Sequence, residues 1–489
     1  LLFGGLDNKS NHLSENKKTM PNQASAPLNS VTQQLIEALT VASYAGLSPQ
    51  VIADARRAVL DWLGSALAGS LEPPARMVQS VAARMGSSNE STVFSANRSS
   101  AALAALANGV ASHILEFDDL HKGSTLHPAA PIISAALAVA EREHADGRVF
   151  ILSVVLGYEA ALRIGEAVNP SHYFYWHPTG TVATFGSAVA AASLLKLNPR
   201  QLTDALGTAG TQAAGLWEFN SDGAMSKHLH PGKAAFNGIL AADLAQVGFT
   251  GASKMIEGPR GFVRAMSDSQ DLSAMTRGLG TQWKIAENCY KLHSCCGHTH
   301  TAIDCALEVR SERHWSGADA FNRIESIQIE TYGPGFEIVK EPNPHSSYQA
   351  KFSIVYCVIA ALLEGAVGLD QFGPERFGPD GVRDSKFAAL SARTRVTVND
   401  DLTAKYPAAW PVRISLKLKD GSVVTKTSDF PRGNPEKLVS DGELEQKFRA
   451  LVEPRFGPDL CRRAIEACRH LESTADMAVG FGDLTGTHP

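Results

Sequence analysis

The chain has 489 residues, enough for two or three domains, with 44% hydrophobic and 19% charged content, the balance of a folded protein. A net charge of −5 carries none of the basic excess of a general nucleic-acid binder, although a local pocket can be cationic in an acidic protein. Seven cysteines spread thinly over this length make no disulfide framework and suggest a reducing, cytoplasmic setting.

Residues 1–28 are polar, rich in Asn and Ser, and expected to form a disordered or tag-like tail outside the fold. Residues 1–19 read as a tag remnant or an upstream mistranslation, with Met20 as the natural start. No basic region followed by an apolar core marks a signal peptide. The longest apolar stretches, such as SIVYCVIAALL (353–363), fall short of the roughly 20 residues of a membrane span, so no membrane is expected.

From Ser30 to about Gln282 the pattern is helix after helix. Ser48-Pro49 reads as an N-cap with proline at the first helical position, followed by the amphipathic VIADARRAVLDWLGSALAG. Further helices are expected over 74–85, 99–115, 128–144, 148–168, 178–196, 199–216, 232–247 and 259–267. Many of their interior positions are Ala, Gly or Ser, which lets helix axes approach closely. After residue 285 the texture changes. NRIESIQIETYG (322–333), RVTVND (395–400) and VRISLKLKDGSVVTKTSDF (412–430) read as strands, the last a hairpin with KDGS at its turn. FSIVYCVIAALLEG (352–365) reads as a buried helix, and from Glu443 the chain returns to helix. The expected fold is mostly α. A large all-helical domain is formed by both ends of the chain (29–286 and 433–489) and interrupted by a smaller α/β domain (287–432).

Four stretches concentrate chemistry. LEFDDLHKGSTLHPAAP (115–131) holds Glu116, Asp118, Asp119, His121, Lys122 and His127 between apolar helices, with His127 at a predicted helix start, where unpaired N–H groups favour an anion. WHPTGTVATFGSAVAAA places His177 in the same position. Two His-Pro helix starts suggest a shared pocket, although each histidine could simply cap its helix. MSKHLHPGKAAFNG (225–238) carries Lys227, His228, His230 and Lys233, which alone would also suit a solvated basic loop. YKLHSCCGHTHTAIDCA (290–306) carries Lys291, His293, Cys295, Cys296, His298 and His300. It invites a metal reading, yet adjacent cysteines ligate one zinc poorly and no CxxC or HExxH is present. Cys295, Cys296 and Cys305 also suit buried small hydrophobes. No GxGxxG, P-loop or GxSxG elbow appears.

These stretches, in this order, resemble the MmgE/PrpD family, which includes 2-methylcitrate dehydratases, cis-aconitate decarboxylases and iminodisuccinate epimerases. The resemblance covers roughly 30–480, on LEFDDLHKGSTLHP, GYEAALRIGEA, WHPTGTVATFGSA, KHLHPGKAAFNG, KLHSCCGHTH and AKFSIVYCVIAALLEG. It implies a helical domain with an α/β lid, a homodimer, and no metal or organic cofactor. Residue by residue, it places the active-site histidines at His127 and His177 and the lysines at Lys227 and Lys291. Glu116 stands where the animal decarboxylases have Asp, and Cys296 where they have His. One extra residue separates the acidic pair from His127.

A small polycarboxylate needs fixed cations, and Lys227 and Lys291 suit that task. Proton transfer near neutral pH suits His127 and His177. Glu116, Asp118, Asp119, His121, His230, Cys296 and His298 are expected to bind substrate or orient its partners, with no metal ligand among them. The resemblance leads first to a 2-methylcitrate dehydratase-like hydro-lyase, with a cis-aconitate decarboxylase or an iminodisuccinate epimerase as alternatives. A metal hydrolase using Cys295, His298 and His300, or an inactive scaffold, is more remote. Leu120, Trp217 and Tyr332 are candidates for setting substrate choice.

Overall fold

The computed structural model describes residues 30–484; the expected tail over 1–28 lies outside them. The principal helices of the first half are α1 (Val31–Val41), α2 (Pro49–Gly69), α3 (Pro73–Met85), α4 (Ala101–Ile114), α5 (Ala129–Arg142), α6 (Gly147–Val168), α7 (Ala183–Leu194), α8 (Pro199–Gly210) and α9 (Ser226–Gln246). Ser48 caps α2 by accepting from the Val51 N–H, with Pro49 opening the helix.

One apolar core runs from Leu35 to Ile285 and takes in Phe448, Leu451, Val452 and Ile465 of the last long helix. Both ends of the chain therefore build the same core. That last helix, α13 (Asp441–Arg469), is the two helices expected after Glu443, joined across a break at Gly457, whose φ of 80° precedes Pro458. Ser440 and Glu443 form a capping box at its start.

Helices α4 and α9 meet closely at a pair of facing glycines. A Cβ on Gly109 would stand 2.8 Å from the Cα of Gly232, and one on Gly232 would stand 2.3 Å from the Leu106 carbonyl. Only hydrogen fits at both positions. The contact lies one turn before His113 on α4 and five residues after Lys227 on α9, so it fixes how the ends of these helices face one another.

Three boundaries differ from expectation. α7 opens at Ala183, not 178, because the N–H groups of Gly180 and Thr181 turn back onto the His177 carbonyl, at 2.8 and 3.2 Å. α8 stops at Gly210, and the following residues bring Leu216 beside Trp176. α9 begins at Ser226, six residues early, and runs through Pro231. Proline costs one helical hydrogen bond there, but burial of Lys227, His228 and Gly232 against α4 outweighs local propensity.

The second apolar core belongs to the α/β segment. Its elements are α10 (Gly297–Glu312), β1 (Ile324–Thr331), α11 (Ile354–Glu364), α12 (Ser385–Ser391), β2 (Thr394–Val398), β3 (Val412–Leu418) and β4 (Val423–Ser428). The sheet order is β2-β1-β3-β4. β1 runs parallel to β2, with Ile329 opposite Val396, and antiparallel to β3, with Ile329 opposite Ile414. The parallel pair requires a crossover, which α11 and α12 supply. Alternation buries Val412, Ile414, Leu416 and Leu418 against the helices. The β3–β4 hairpin turns at Asp420-Gly421, where Gly421 has a φ of 85°. Helix α10 was not expected; the polar residues of GHTHT mask its period. A small cluster of Leu120, Cys289, Tyr332 and Trp410 joins the two cores. Among the described residues no helix is long and apolar enough to cross a membrane.

Candidate active site

The acidic stretch leaves α4 and reaches α5 as a loop pinned from three parts of the chain. The Leu115 carbonyl accepts from Ser294 Oγ at 2.7 Å and Lys351 Nζ at 2.8 Å. The Phe117 carbonyl accepts from Lys447 Nζ at 2.6 Å, which also pairs with Asp61 at 2.6 Å. Leu120 and Cys289 exchange two backbone hydrogen bonds, at 2.9 and 2.7 Å. Asp119 caps α5: one oxygen accepts from the Ala129 N–H at 3.0 Å, the other from the Tyr158 hydroxyl at 2.7 Å. Burial still pushes its carboxyl up to about 7 against those two donors.

Glu116 sits at a φ of 56°, a left-handed conformation unfavourable for a residue with a Cβ. It directs the carboxylate, 1% exposed, between two lysines. Lys227 Nζ pairs with Oε1, and Lys291 Nζ lies 3.3 Å from Oε2 and 3.1 Å from the Glu116 carbonyl. Lys227 also stands 4.8 Å above the Phe352 ring. Burial opposes charge on Glu116, but Lys227 and Lys291 outweigh it and hold the carboxyl well below its usual range. Burial likewise opposes the Lys291 charge, yet Glu116 and Asp118 raise its pKa above the ordinary value.

Histidines face this ion cluster. His113 Nδ1 lies 2.7 Å from Asp118 Oδ2. His127 Nδ1 lies 3.6 Å from the same oxygen and makes its hydrogen bond to the Asp119 carbonyl at 2.7 Å. A carbonyl only accepts, so the neutral His127 ring carries its proton on Nδ1 and leaves Nε2 as the basic atom. His177 shares a proton with His230 between their Nδ1 atoms, 3.0 Å apart, and packs 5.0 Å from Trp217. The His113 ring lies 4.9 Å from His127 and 5.8 Å from His177; His127 and His177 are 6.3 Å apart. Burial, then repulsion from Lys291, keeps His127 well below its usual pKa. Burial, then His230 and Lys227, does the same for His177. Burial brings His228 and His230 down to about 3. These rings are neutral at pH 7, and an arriving anion would favour their protonation.

The remaining candidates sit at different distances from this centre. His298, at the start of α10, stacks on Trp410 at 4.3 Å and meets the Tyr332 hydroxyl at 2.5 Å and the Tyr173 hydroxyl at 3.5 Å. Cys296 caps α10, and burial pushes its thiol up to about 12 despite Lys291. His121 is not brought into the histidine cluster: its ring contacts Ser124 at 2.9 Å, Glu287 at 3.3 Å and Glu166 at 3.7 Å. Cys295, His298 and His300 do not converge as metal ligands; His300 Nε2 contacts the Cys295 carbonyl at 3.2 Å instead. Two other trios have ligating atoms within 4.8 Å, His113/Asp118/His127 and His121/Glu166/Glu287. The Lys284 ammonium already lies 2.8 Å from Glu166 and 3.0 Å from Glu287 in the second.

Two family descriptions match the chain: the MmgE/PrpD N-terminal domain over residues 33–275 and the MmgE/PrpD C-terminal domain over 293–473. The chain belongs to the MmgE/PrpD family. It is similar to a cis-aconitate decarboxylase-like protein of Aspergillus oryzae, 26% identical over 94% of this chain and 98% of the relative. The human cis-aconitate decarboxylase is 27% identical, over 94% of this chain and 96% of its own length. That of Aspergillus terreus is 25% identical over 79% of each.

Within this MmgE/PrpD chain, three residues that sequence reasoning passed over stand in or beside the centre. His113 ends the helix before the acidic stretch, five residues ahead of the carboxylate it contacts. Tyr158 lies inside GYEAALRIGEA and holds Asp119. Lys351 opens the α11 segment and holds Leu115. Each stood in or next to a stretch already singled out, and its partner was the missing information.

Proposed function

We propose that this chain is a decarboxylase acting on cis-aconitate or a closely similar unsaturated tricarboxylate. The coarser reading, a lyase of small carboxylic acids, is supported by the family and by the names of its relatives. The expectation of a 2-methylcitrate dehydratase gains no support from those relatives; they favour the decarboxylase alternative. The observation that carries the reading is the Lys227–Glu116–Lys291 cluster facing His127 and His177 in a buried site.

The chemistry fits those parts. In cis-aconitate the bond from the CH2 carbon to its carboxylate breaks, and its electron pair becomes a new C=C. The original double bond shifts its pair onto the carbon beside another carboxylate, which takes on enediolate character and accepts one proton. A trianion plus a proton gives the itaconate dianion and CO2. Lys227 and Lys291 hold the carboxylates that stay and stabilise the developing charge, with Glu116 keeping the two ammonium groups together until substrate arrives. His127 and His177 are the acid–base residues: charged by the bound anion, they donate to the enediolate oxygens, and one ring of the cluster gives the proton to carbon. The 287–432 segment acts as the lid that brings Lys291 over the helical residues and excludes water.

Proton NMR of the purified enzyme with cis-aconitate, citrate and 2-methylcitrate tests this. Itaconate formed from cis-aconitate is the expected result. Loss of water from either hydroxy acid, with cis-aconitate left unchanged, would return the protein to the dehydratases.

A further inference from the structure

We propose that His113, oriented by Asp118, is a further catalytic residue of this site and the ring that protonates carbon. The inference rests on the decarboxylase reading and names a residue that reading does not assign. His113 is fully buried at the end of α4. Asp118, 2.7 Å from Nδ1, can only accept when ionised, so Nδ1 carries a proton and Nε2 is the ring atom left open. Burial opposes charge on Asp118, but the hydrogen bond from the His113 ring and the nearby Lys291 charge outweigh it and hold the carboxyl below its usual range, so the acceptor is a carboxylate.

Nε2 of His113 is buried and has no hydrogen-bond partner among the described residues, and Asp118 Oδ1 shares that condition. A histidine serving only the core looks different in this same molecule. His172 is equally buried, yet its Nδ1 contacts the Met266 carbonyl at 2.9 Å and its Nε2 the Thr181 hydroxyl at 2.8 Å. His121 likewise has both nitrogens engaged. His228 also has an unpartnered nitrogen, Nδ1, but no carboxylate is hydrogen-bonded to its ring. His113 therefore combines an orienting carboxylate with a free nitrogen, and its ring lies 4.9 Å from His127 and 5.8 Å from His177. A buried acceptor left open in this way suits a group that gains its partner when substrate binds.

The step balances. With the tricarboxylate bound, Nε2 takes up the one solvent proton that the overall reaction consumes and forms an imidazolium between Asp118 and the anion. CO2 departs, the electron pair moves through the allylic system, and Nε2–H gives its proton to the carbon that becomes CH2. The neutral ring is left as it began. Asp118 is a positioning residue: it fixes the tautomer and favours the imidazolium.

The test uses His113→Gln and Asp118→Asn in the full-length protein, with cis-aconitate in D2O. Wild type should place deuterium at the new CH2 in one stereochemical sense. His113→Gln should lower kcat about 10²- to 10⁴-fold with KM changed little, and its residual product should lose that stereochemical preference. Asp118→Asn should lower kcat with the stereochemistry kept. Independently of turnover, ¹⁵N imidazole NMR of wild type with propane-1,2,3-tricarboxylate should show protonation at His113 Nε2, assigned by its absence in His113→Gln. Should His113→Gln not fold, the same signal is assigned in wild type by correlating the ring to its own backbone, so the readout does not depend on the variant. A His113→Gln enzyme with wild-type kcat and stereochemistry, or a His113 signal unmoved by the bound tricarboxylate, overturns the proposal. Wild type that neither converts cis-aconitate nor binds the tricarboxylate overturns the decarboxylase reading, and this inference falls with it.

Discussion

The ammonium of Lys351, carried by the α/β segment, donates to the carbonyl of Leu115, 2.8 Å away and one residue ahead of Glu116. Burial brings its pKa down to about 8. The unfolded chain binds this proton up to the ordinary value of roughly 10.5, so the group lowers stability most below pH 8, and the penalty fades as pH rises toward 10.5. Lys351→Met should therefore match or exceed wild type in Tm at pH 7, and that advantage should shrink above pH 10. The loop ahead of Glu116 would lose its tether, and kcat/KM should fall by about tenfold or more, the worth of a hydrogen bond from a charged group. A variant with clearly reduced Tm at pH 7 and unchanged kcat/KM would contradict both halves.

Glu116 is the counter-ion of two buried lysines, so its removal is expected to cost more than its own contacts suggest. Glu116→Gln leaves Lys227 and Lys291 facing each other without a carboxylate. Breaking a buried pair in this way costs about 3–5 kcal/mol. Glu116→Asp keeps the charge at a backbone position that Asp tolerates better than most residues, and should lose much less. Urea unfolding of the two variants at pH 7 measures the difference. Added citrate should rescue the Gln variant more than wild type, since its carboxylates would refill the vacated place.

Helix approach at Gly109 is tied to the site by geometry. A methyl group there meets Gly232 backbone at 2.8 Å, so Gly109→Ala must push α4 and α9 apart. Overpacking of this kind costs typically about 1–3 kcal/mol. Because His113 lies on α4 and Lys227 on α9, activity should drop beyond what the lost stability explains. Thermal unfolding together with kcat at a temperature where the variant is fully folded checks both effects.

The small-residue texture that makes this contact was legible in the sequence, as were the two-ended helical core and the β3–β4 hairpin. All four chemically loaded stretches were visible too, because charges stand out between apolar helices. Pairing was hidden. Glu116 was readable as an acid, but its place between Lys227 and Lys291 depends on residues 111 and 175 positions away. His113 lay in an alanine-rich helix and gained meaning only when the loop folded Asp118 back onto it. His121 was expected to bind substrate or orient its partners, yet its ring meets Glu287, which belongs to a remote turn. The helix after the Lys227 segment was expected only from residue 232, past HPG, and burial against α4 starts it at Ser226.

Acid should unfold this protein through its neutral histidines. His127 and His177 are held well below the ordinary value, His228, His230 and His298 at about 3, and His172 at about 4, with burial the leading cause in each. At pH 5 these six rings are neutral when folded and mostly charged when unfolded, since a free histidine titrates near about 6.5. Asp119 and Glu141, raised to about 7 by burial, work the other way: they hold protons at pH 5 that the unfolded chain mostly releases. Unfolding at pH 5 then takes up about four protons, so stability should fall on the order of 5 kcal/mol per pH unit around that pH, and less steeply near pH 6.5. Calorimetric unfolding at pH 5, in buffers of different ionisation enthalpy, counts those protons directly; an uptake below about one would mean that the rings are charged in the fold. The same linkage runs through ligand binding. A tricarboxylate entering beside His113, His127 and His177 favours the charged rings, so its binding at pH 7 should also take up protons. His113→Gln should reduce that uptake by about one, and an unchanged uptake would count against a proton gained at His113.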